Sequence, residues 1–195
     1  ELAVGLPKGH IWHSGSLATK SGLEFLANIP TEEVFTLPHC DRVDGTVHSS
    51  LALNYNGILI DDFELKFENG KAVNANARVG NDALQRLLST EEGVTRLGEV
   101  ALVPYSSPIS QRKMLFYTTL FDENAASHLA FGMAYRYTLA DGEGMTQEQF
   151  RAAGGNISNF HIDFMVGNEG MDIDGIKEDS NTEPVMRSGE WAFDV

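Results

Sequence analysis

Residues 159–167 read N-F-H-I-D-F-M-V-G, and they set His161 and Asp163 two positions apart in an otherwise apolar run. Successive side chains of an extended strand alternate faces, so an i, i+2 pair projects from one side. One face then carries an imidazole and a carboxylate, while Ile162, Phe164 and Val166 turn towards a core. A neutral imidazole nitrogen and an ionised carboxylate oxygen are donors that zinc, cobalt and manganese accept. H-x-D is thus a candidate metal site. The plain alternative is a strand with an ordinary polar face, and further ligands are needed to decide between the two.

Outward from this strand, residues 45–67 and 99–117 read as β structure, rich in Val, Ile, Leu, Phe and Tyr and broken by turn signals. Asn56-Gly57 and Asn69-Gly70 are strong hairpin cues, because a two-residue turn of the favoured type needs positive φ at both positions. Helical pattern marks residues 81–88, 122–137 and 146–153. The second opens on a D-E-N cluster suited to capping, and the third places Gln149 three after Thr146, the spacing of a capping box. Hairpin signals dominate, which predicts an α+β fold: a single domain over residues 1–195 with a mixed, largely antiparallel sheet and a few packed helices.

Composition narrows the function classes. With 42% hydrophobic and 22% charged residues the chain reads as globular. No apolar run approaches the ~18 residues of a membrane helix, so no membrane partner is expected. The single cysteine, Cys40, excludes an internal disulfide and a Cys-rich zinc site and fits a reducing, cytoplasmic setting. Fourteen basic against twenty-eight acidic residues give a formal charge of -14, and no Lys/Arg cluster interrupts the acidic field. That balance disfavours nucleic-acid binding and favours cations, either metal ions or the ammonium of a peptide N-terminus. The chain opens at Glu1 on apolar L-A-V-G-L rather than on methionine, from which an upstream segment is expected.

Several polar residues stand where chemistry could occur. In N-I-P-T-E-E-V-F-T-L-P, two prolines bracket Glu32 and Glu33, whose side chains point oppositely if the segment is extended. Glu99 enters the apolar strand G-E-V-A-L-V, where an uncompensated carboxylate is costly. In a helix over 122–137, His128 and Tyr135 are two turns apart and share a face with Asn124, whereas Glu123 lies about 140° round from His128. His10, His13 and the His39-Cys40 pair are weaker candidates. Asp172-Ile173-Asp174-Gly175 hints at a calcium loop without its closing Glu.

Taken in order, N-I-P-T-E-E-V-F-T-L-P, L-G-E-V-A-L-V-P, L-F-D-E-N-A-A-S-H and H-I-D-F-M-V-G closely resemble the metalloaminopeptidase family of aminopeptidase T, aminopeptidase S and PepS. F-E-N-G-K, S-S-P-I-S, G-G-N-I-S and R-S-G-E-W extend the resemblance along nearly the whole chain. It implies a site of two divalent ions (Zn, Co or Mn) with Glu33, Glu99, His128, His161 and Asp163 as ligands. Glu123 belongs to the same motif and is a further ligand candidate. Tyr135 matches the active-site tyrosine, and Glu32 is the candidate general base or anchor for the substrate ammonium. The implied activity is hydrolysis of the N-terminal peptide bond of peptides with a free N-terminus, by a water that two metals activate. Family members carry a further N-terminal domain that this chain lacks, and a homodimer of the full-length protein is implied as well. Two other readings stand beside this one: a dinuclear metal oxidase, which the lack of E-x-x-H pairs disfavours, and a non-catalytic or inactive metal-stabilised domain.

Overall fold

The computed structural model describes residues 1–26 and 31–194; Asn28 and Pro30 of the first bracketed segment lie outside that range. The chain begins with β1 (Leu2–Val4), β2 (His13–Ser14), β3 (Ser16–Ala18), β4 (Glu24–Leu26) and β5 (Val34–Thr36). Then come β6 (Val43–His48), β7 (Leu53–Tyr55), β8 (Ile58–Glu68), β9 (Lys71–Val79) and α1 (Asn81–Leu88). The second half holds β10 (Leu97–Leu102), α2 (Thr119–Asp122), β11 (His128–Gly132), α3 (Gln147–Ala152) and β12 (His161–Met165). It closes with β13 (Ile173–Ile176), β14 (Thr182–Arg187) and β15 (Glu190–Trp191).

These strands form two five-stranded sheets. In the first, β1, β6, β8 and β7 run side by side and β9 also pairs with β8; the second has the order β12-β11-β10-β5-β2. Smaller sheets join β13, β14 and β15, and β3 with β4. Every pairing between described strands is antiparallel, so the expected α+β class holds without a parallel component. Both N-G turns form as read, with φ of 52° and 79° at Asn56 and Gly57 and 49° and 78° at Asn69 and Gly70. They join β7 to β8 and β8 to β9.

The two large sheets meet over an aromatic core. Phe131 stacks on Phe164 with centroids 4.4 Å apart, and Phe63 of the facing sheet lies 5.7 Å from Phe164. Ile60, Leu65, Leu84, Leu87, Leu129 and Val166 are among the other members of this cluster, with Ile162 packed partly buried against it. Full burial of each such side chain is worth roughly 1.5–3 kcal/mol. The core-facing residues read from the H-x-D strand are therefore the ones that pack inward.

Two expectations are corrected. In place of the predicted helix over 122–137 stand the end of α2, a 3-10 turn at Glu123–Ala125, then β11 and, beyond it, a second 3-10 turn at Arg136–Thr138. All five residues of β11 are buried, because the strand lies between β10 and β12 with both faces covered. An Ala-rich apolar run of that length suits a central strand as well as a helix, and tertiary burial decided for the strand. The β reading of 99–117 holds only through Leu102; the remainder is loop with one 3-10 turn, Ser110–Arg112. By contrast α1 has the predicted bounds, and α3 carries the Thr146/Gln149 capping box with both of its hydrogen bonds. The alternating strand β9 and the sheet β13-β14-β15 went unread in the sequence.

Candidate metal centre

Register puts the predicted donors on one face of the second sheet. Glu99 pairs with Ala130 and Ala130 with Asp163, so these three form a row across β10, β11 and β12. His128 is two residues from Ala130 and His161 two from Asp163, which keeps both on that face. Phe35 pairs with Ala101 beside Glu99, and Glu33, two before Phe35 and just ahead of β5, shares the face as well. His128 and Tyr135 are thus related by sheet register and a bend in the chain, not by two helical turns.

The bend depends on Gly132. Its φ is +93°, and a Cβ there would stand 2.2 Å from the carbonyl oxygen of Phe160. The chain turns away after β11, and the Met133 carbonyl accepts a 2.7 Å hydrogen bond from His161 Nδ1. The Ala126 carbonyl likewise accepts from His128 Nδ1 at 3.1 Å. A carbonyl can only accept, so both rings carry a proton on Nδ1 and turn Nε2 to the carboxylates.

There the donors converge. His128 Nε2 lies 3.0 Å from Glu33 Oε2 and 3.4 Å from Glu99 Oε1. His161 Nε2 lies 3.3 Å from Asp163 Oδ1 and 3.7 Å from Glu99 Oε2. Two groups of possible ligands result, Glu33–Glu99–His128 and Glu99–His161–Asp163, and Glu99 belongs to both through different oxygens. Close as they are, Glu33 Oε2, His128 Nε2 and Asp163 Oδ1 are buried with no hydrogen-bond partner among the described residues. Once the imidazoles give up their Nε2 protons, their lone pairs and the carboxylate oxygens converge on sites that suit a cation held between them. Ligand atoms ~2.1 Å from one ion stand ~3.0 to ~3.4 Å apart at right-angled or tetrahedral geometry, which three of these four spacings match, the His161–Glu99 distance of 3.7 Å being slightly wider. The residues therefore fit divalent metal, and the mixed imidazole–carboxylate set favours a transition ion or zinc over calcium.

The charges are arranged to the same effect. His161 is pushed up to about 9: burial opposes its charge, but Asp163 and Glu99 outweigh that cost. His128 is raised well above its ordinary value; burial again opposes, and Glu33 and Glu99 prevail. Burial raises Glu99 despite His128 beside it. Asp163 is held below the usual carboxylate range, its burial outweighed by His161. Glu123, on its 3-10 turn, stands outside both donor groups yet faces the same field: burial and then the charge of Asp163 push it up to about 8.

Around the donors, Tyr135 sets its ring 4.6 Å from that of His161, and its hydroxyl pKa is raised by burial and by Glu99 and Asp163. Glu32 is half-buried, and its backbone N–H donates to Asn124 Oδ1 at 2.6 Å. Tyr137 was missed in the sequence. It stacks on Tyr135 at 5.3 Å, and burial with Glu99 and Glu33 raises it to about 12. No local signal pairs it with Tyr135, because residues 136–138 form a 3-10 turn rather than an extended segment.

The weaker candidates lie elsewhere. His10 Nδ1 donates to the Pro7 carbonyl and His13 Nε2 to that of Tyr137. His39, Cys40 and Asp41 cluster, but Asp41 is engaged by Arg96 and Arg151, and burial raises the Cys40 thiol to about 11. Asp172 caps the Ser188 N–H and Asp174 pairs with Arg187, which disposes of the calcium hint.

An antiparallel sheet with buried carboxylates and imidazoles converging on one face forms a candidate divalent-metal centre. Residues 1–191 match the thermophilic metalloprotease (M29) family, and the chain belongs to it. It is similar to aminopeptidase AmpS of Bacillus subtilis (strain 168), 51% identical over 193 residues that cover 99% of this chain and 47% of that protein. Aminopeptidase 2 of Geobacillus stearothermophilus is 50% identical over 194 residues, 100% of this chain and 47% of that one. The solved structure of wild-type AmpT from Thermus thermophilus superposes with a TM-score of 0.93 at 50% identity, covering 98% of this chain and 47% of that chain. This chain spans about half the length of the curated relatives it matches. Among the described residues no helix is long and apolar enough to cross a membrane.

Proposed function

We propose that this chain is the metal-binding catalytic domain of a metal-dependent aminopeptidase that removes the N-terminal residue of peptides. The observation that carries the reading is the pair of donor groups sharing Glu99, with three buried donor atoms unpartnered between them. Glu33, Glu99 and His128 would hold one divalent ion and Glu99, His161 and Asp163 a second, with Glu123 completing the set. Zinc, cobalt and manganese are the ions this donor chemistry favours. Such ions supply an activated water and polarise the scissile carbonyl.

The chain's own residues do the rest. Glu32, beside Glu33 and tethered by Asn124, is placed to accept a proton or to hold the substrate ammonium. Tyr135 keeps its proton, its pKa being raised, and so remains a hydrogen-bond donor for the oxyanion of the tetrahedral intermediate. The acidic surface, net -14, draws the cationic end of a peptide. A homodimer of the whole protein and a cytoplasmic location complete the proposal; the free, buried Cys40 is compatible with a reducing compartment. The test is hydrolysis of an aminoacyl 4-nitroanilide with added zinc, cobalt or manganese, beside its N-acetylated form. Cleavage of the free-amine substrate alone supports the reading; equal cleavage of both, or metal-independent cleavage, overturns it.

A further inference from the structure

Glu33 differs from the other donors in how it is held. Glu99 and His128 sit within inner strands of the sheet and His161 and Asp163 within its edge strand β12, whereas Glu33 precedes the first residue of β5 and lies beyond the ladder. The backbone just before it is tied to one side chain. The Glu32 N–H donates to Asn124 Oδ1 at 2.6 Å, across 92 residues of sequence. Asn124 is 1% exposed, and its other amide atom, Nδ2, donates to the Leu120 carbonyl at 3.1 Å. Its own carbonyl accepts from the buried Ser107 hydroxyl at 3.0 Å. Both functions of the amide and the main chain behind it are thus committed, which fixes its orientation.

Resting on the two-ion reading above, we propose that Asn124 is a positioning residue for Glu33. Its carboxamide oxygen fixes the backbone at Glu32 and thereby aims the Glu33 carboxylate at His128, so it governs the ion of the Glu33–Glu99–His128 group and not the other. Outer partners of this kind are typically worth 10–100-fold in metal affinity. The Ser107 bond to the main chain of residue 124 survives side-chain substitution, so the turn carrying Glu123 keeps its anchor.

The test uses manganese(II) alone, with stoichiometry by equilibrium dialysis and electron paramagnetic resonance to distinguish a coupled pair of ions from an isolated one. The unaltered chain should take up two ions and give a coupled signal. Asn124→Ala should keep one ion at unchanged affinity, weaken the second 10–100-fold and give an isolated-ion spectrum. Glu32→Pro deletes the same bond from the donor side without entering the core, and should reproduce the selective loss where Glu32→Ala does not. Unchanged affinities in Asn124→Ala and Glu32→Pro overturn the proposal, as does a uniform loss of both ions. Fewer than two ions on the unaltered chain overturns the two-ion reading itself, and this proposal with it.

Discussion

Glu99 and Asp163 stand in one row across the sheet, each paired directly with Ala130 between them. At that level the intervening strand β11 presents only a methyl group, fully buried, between the two carboxylates. Ala130→Leu should therefore fill the space into which the donors point. Overpacking costs about 1–3 kcal/mol, yet metal uptake should be nearly abolished. Elemental analysis after dialysis against zinc, with circular dichroism to verify the fold, checks this. Full uptake in a folded variant would mean that residue 130 does not face the donors.

Tyr135→Phe, made in the whole protein, should lower turnover by roughly 100-fold or more, the effect of losing an oxyanion donor worth ~2.7–4 kcal/mol. Metal content should not change, because Tyr135 belongs to neither donor group and meets the donors by its ring against the His161 imidazole, a contact that Phe keeps. Loss of metal would make the tyrosine a ligand, and full rate would reduce it to packing.

Protons and metal should compete. In the metal-free chain His161 titrates at about 9 and Glu123 at about 8, both above their ordinary values. Groups raised in the folded state stabilise it fully below their unfolded pKa, and that contribution is lost as pH climbs through the folded one. Stability from these two groups should thus fall over about pH 4.5 to 9, and metal affinity should rise across pH 6.5 to 9 as His161 gives up its proton. Melting of the stripped chain, set beside calorimetric metal titration in buffers of different ionisation enthalpy, tests the pair. A pH-independent affinity with no proton release would refute it.

Thr146→Ala removes the acceptor for the Gln149 N–H in the capping box of α3. About 1 kcal/mol of stability should be lost, visible in the urea midpoint. The metal ratio should stay the same, since α3 packs through Phe150 against Leu37, Ala134 and Leu139 rather than on the donor face. A change in metal ratio would tie the cap to the centre.

Where local signals and burial agreed, the sequence was readable. Positive-φ turns at Asn56-Gly57 and Asn69-Gly70, the capping box at Thr146 and the inward Phe164 and Val166 are all local devices whose tertiary surroundings left them intact. Residues 128–132 were not readable this way. H-L-A-F-G is too short for periodicity to separate a buried helix from a buried strand, and only flanking β10 and β12 decide it. The donors themselves were named from chemistry and family resemblance. That they share one face depends on pairings such as Glu99 with Ala130, which are long-range and invisible in the chain order. Asn124 was noticed for a helical face that does not exist, while its bond to Glu32 follows from the fold alone.

The uneven anchoring of the donors bears on how long an ion stays. His161 and Asp163 lie in a strand whose neighbour also carries His128, and these strands back onto the Phe131–Phe164 core. Strand residues backed by such a core, even on the sheet's edge strand, open less often than a residue beyond a strand end, which is released in local fluctuations. On the two-ion reading, a chelator would meet two clocks: a fast escape past Glu33, and a slow one set by the breathing of the sheet itself.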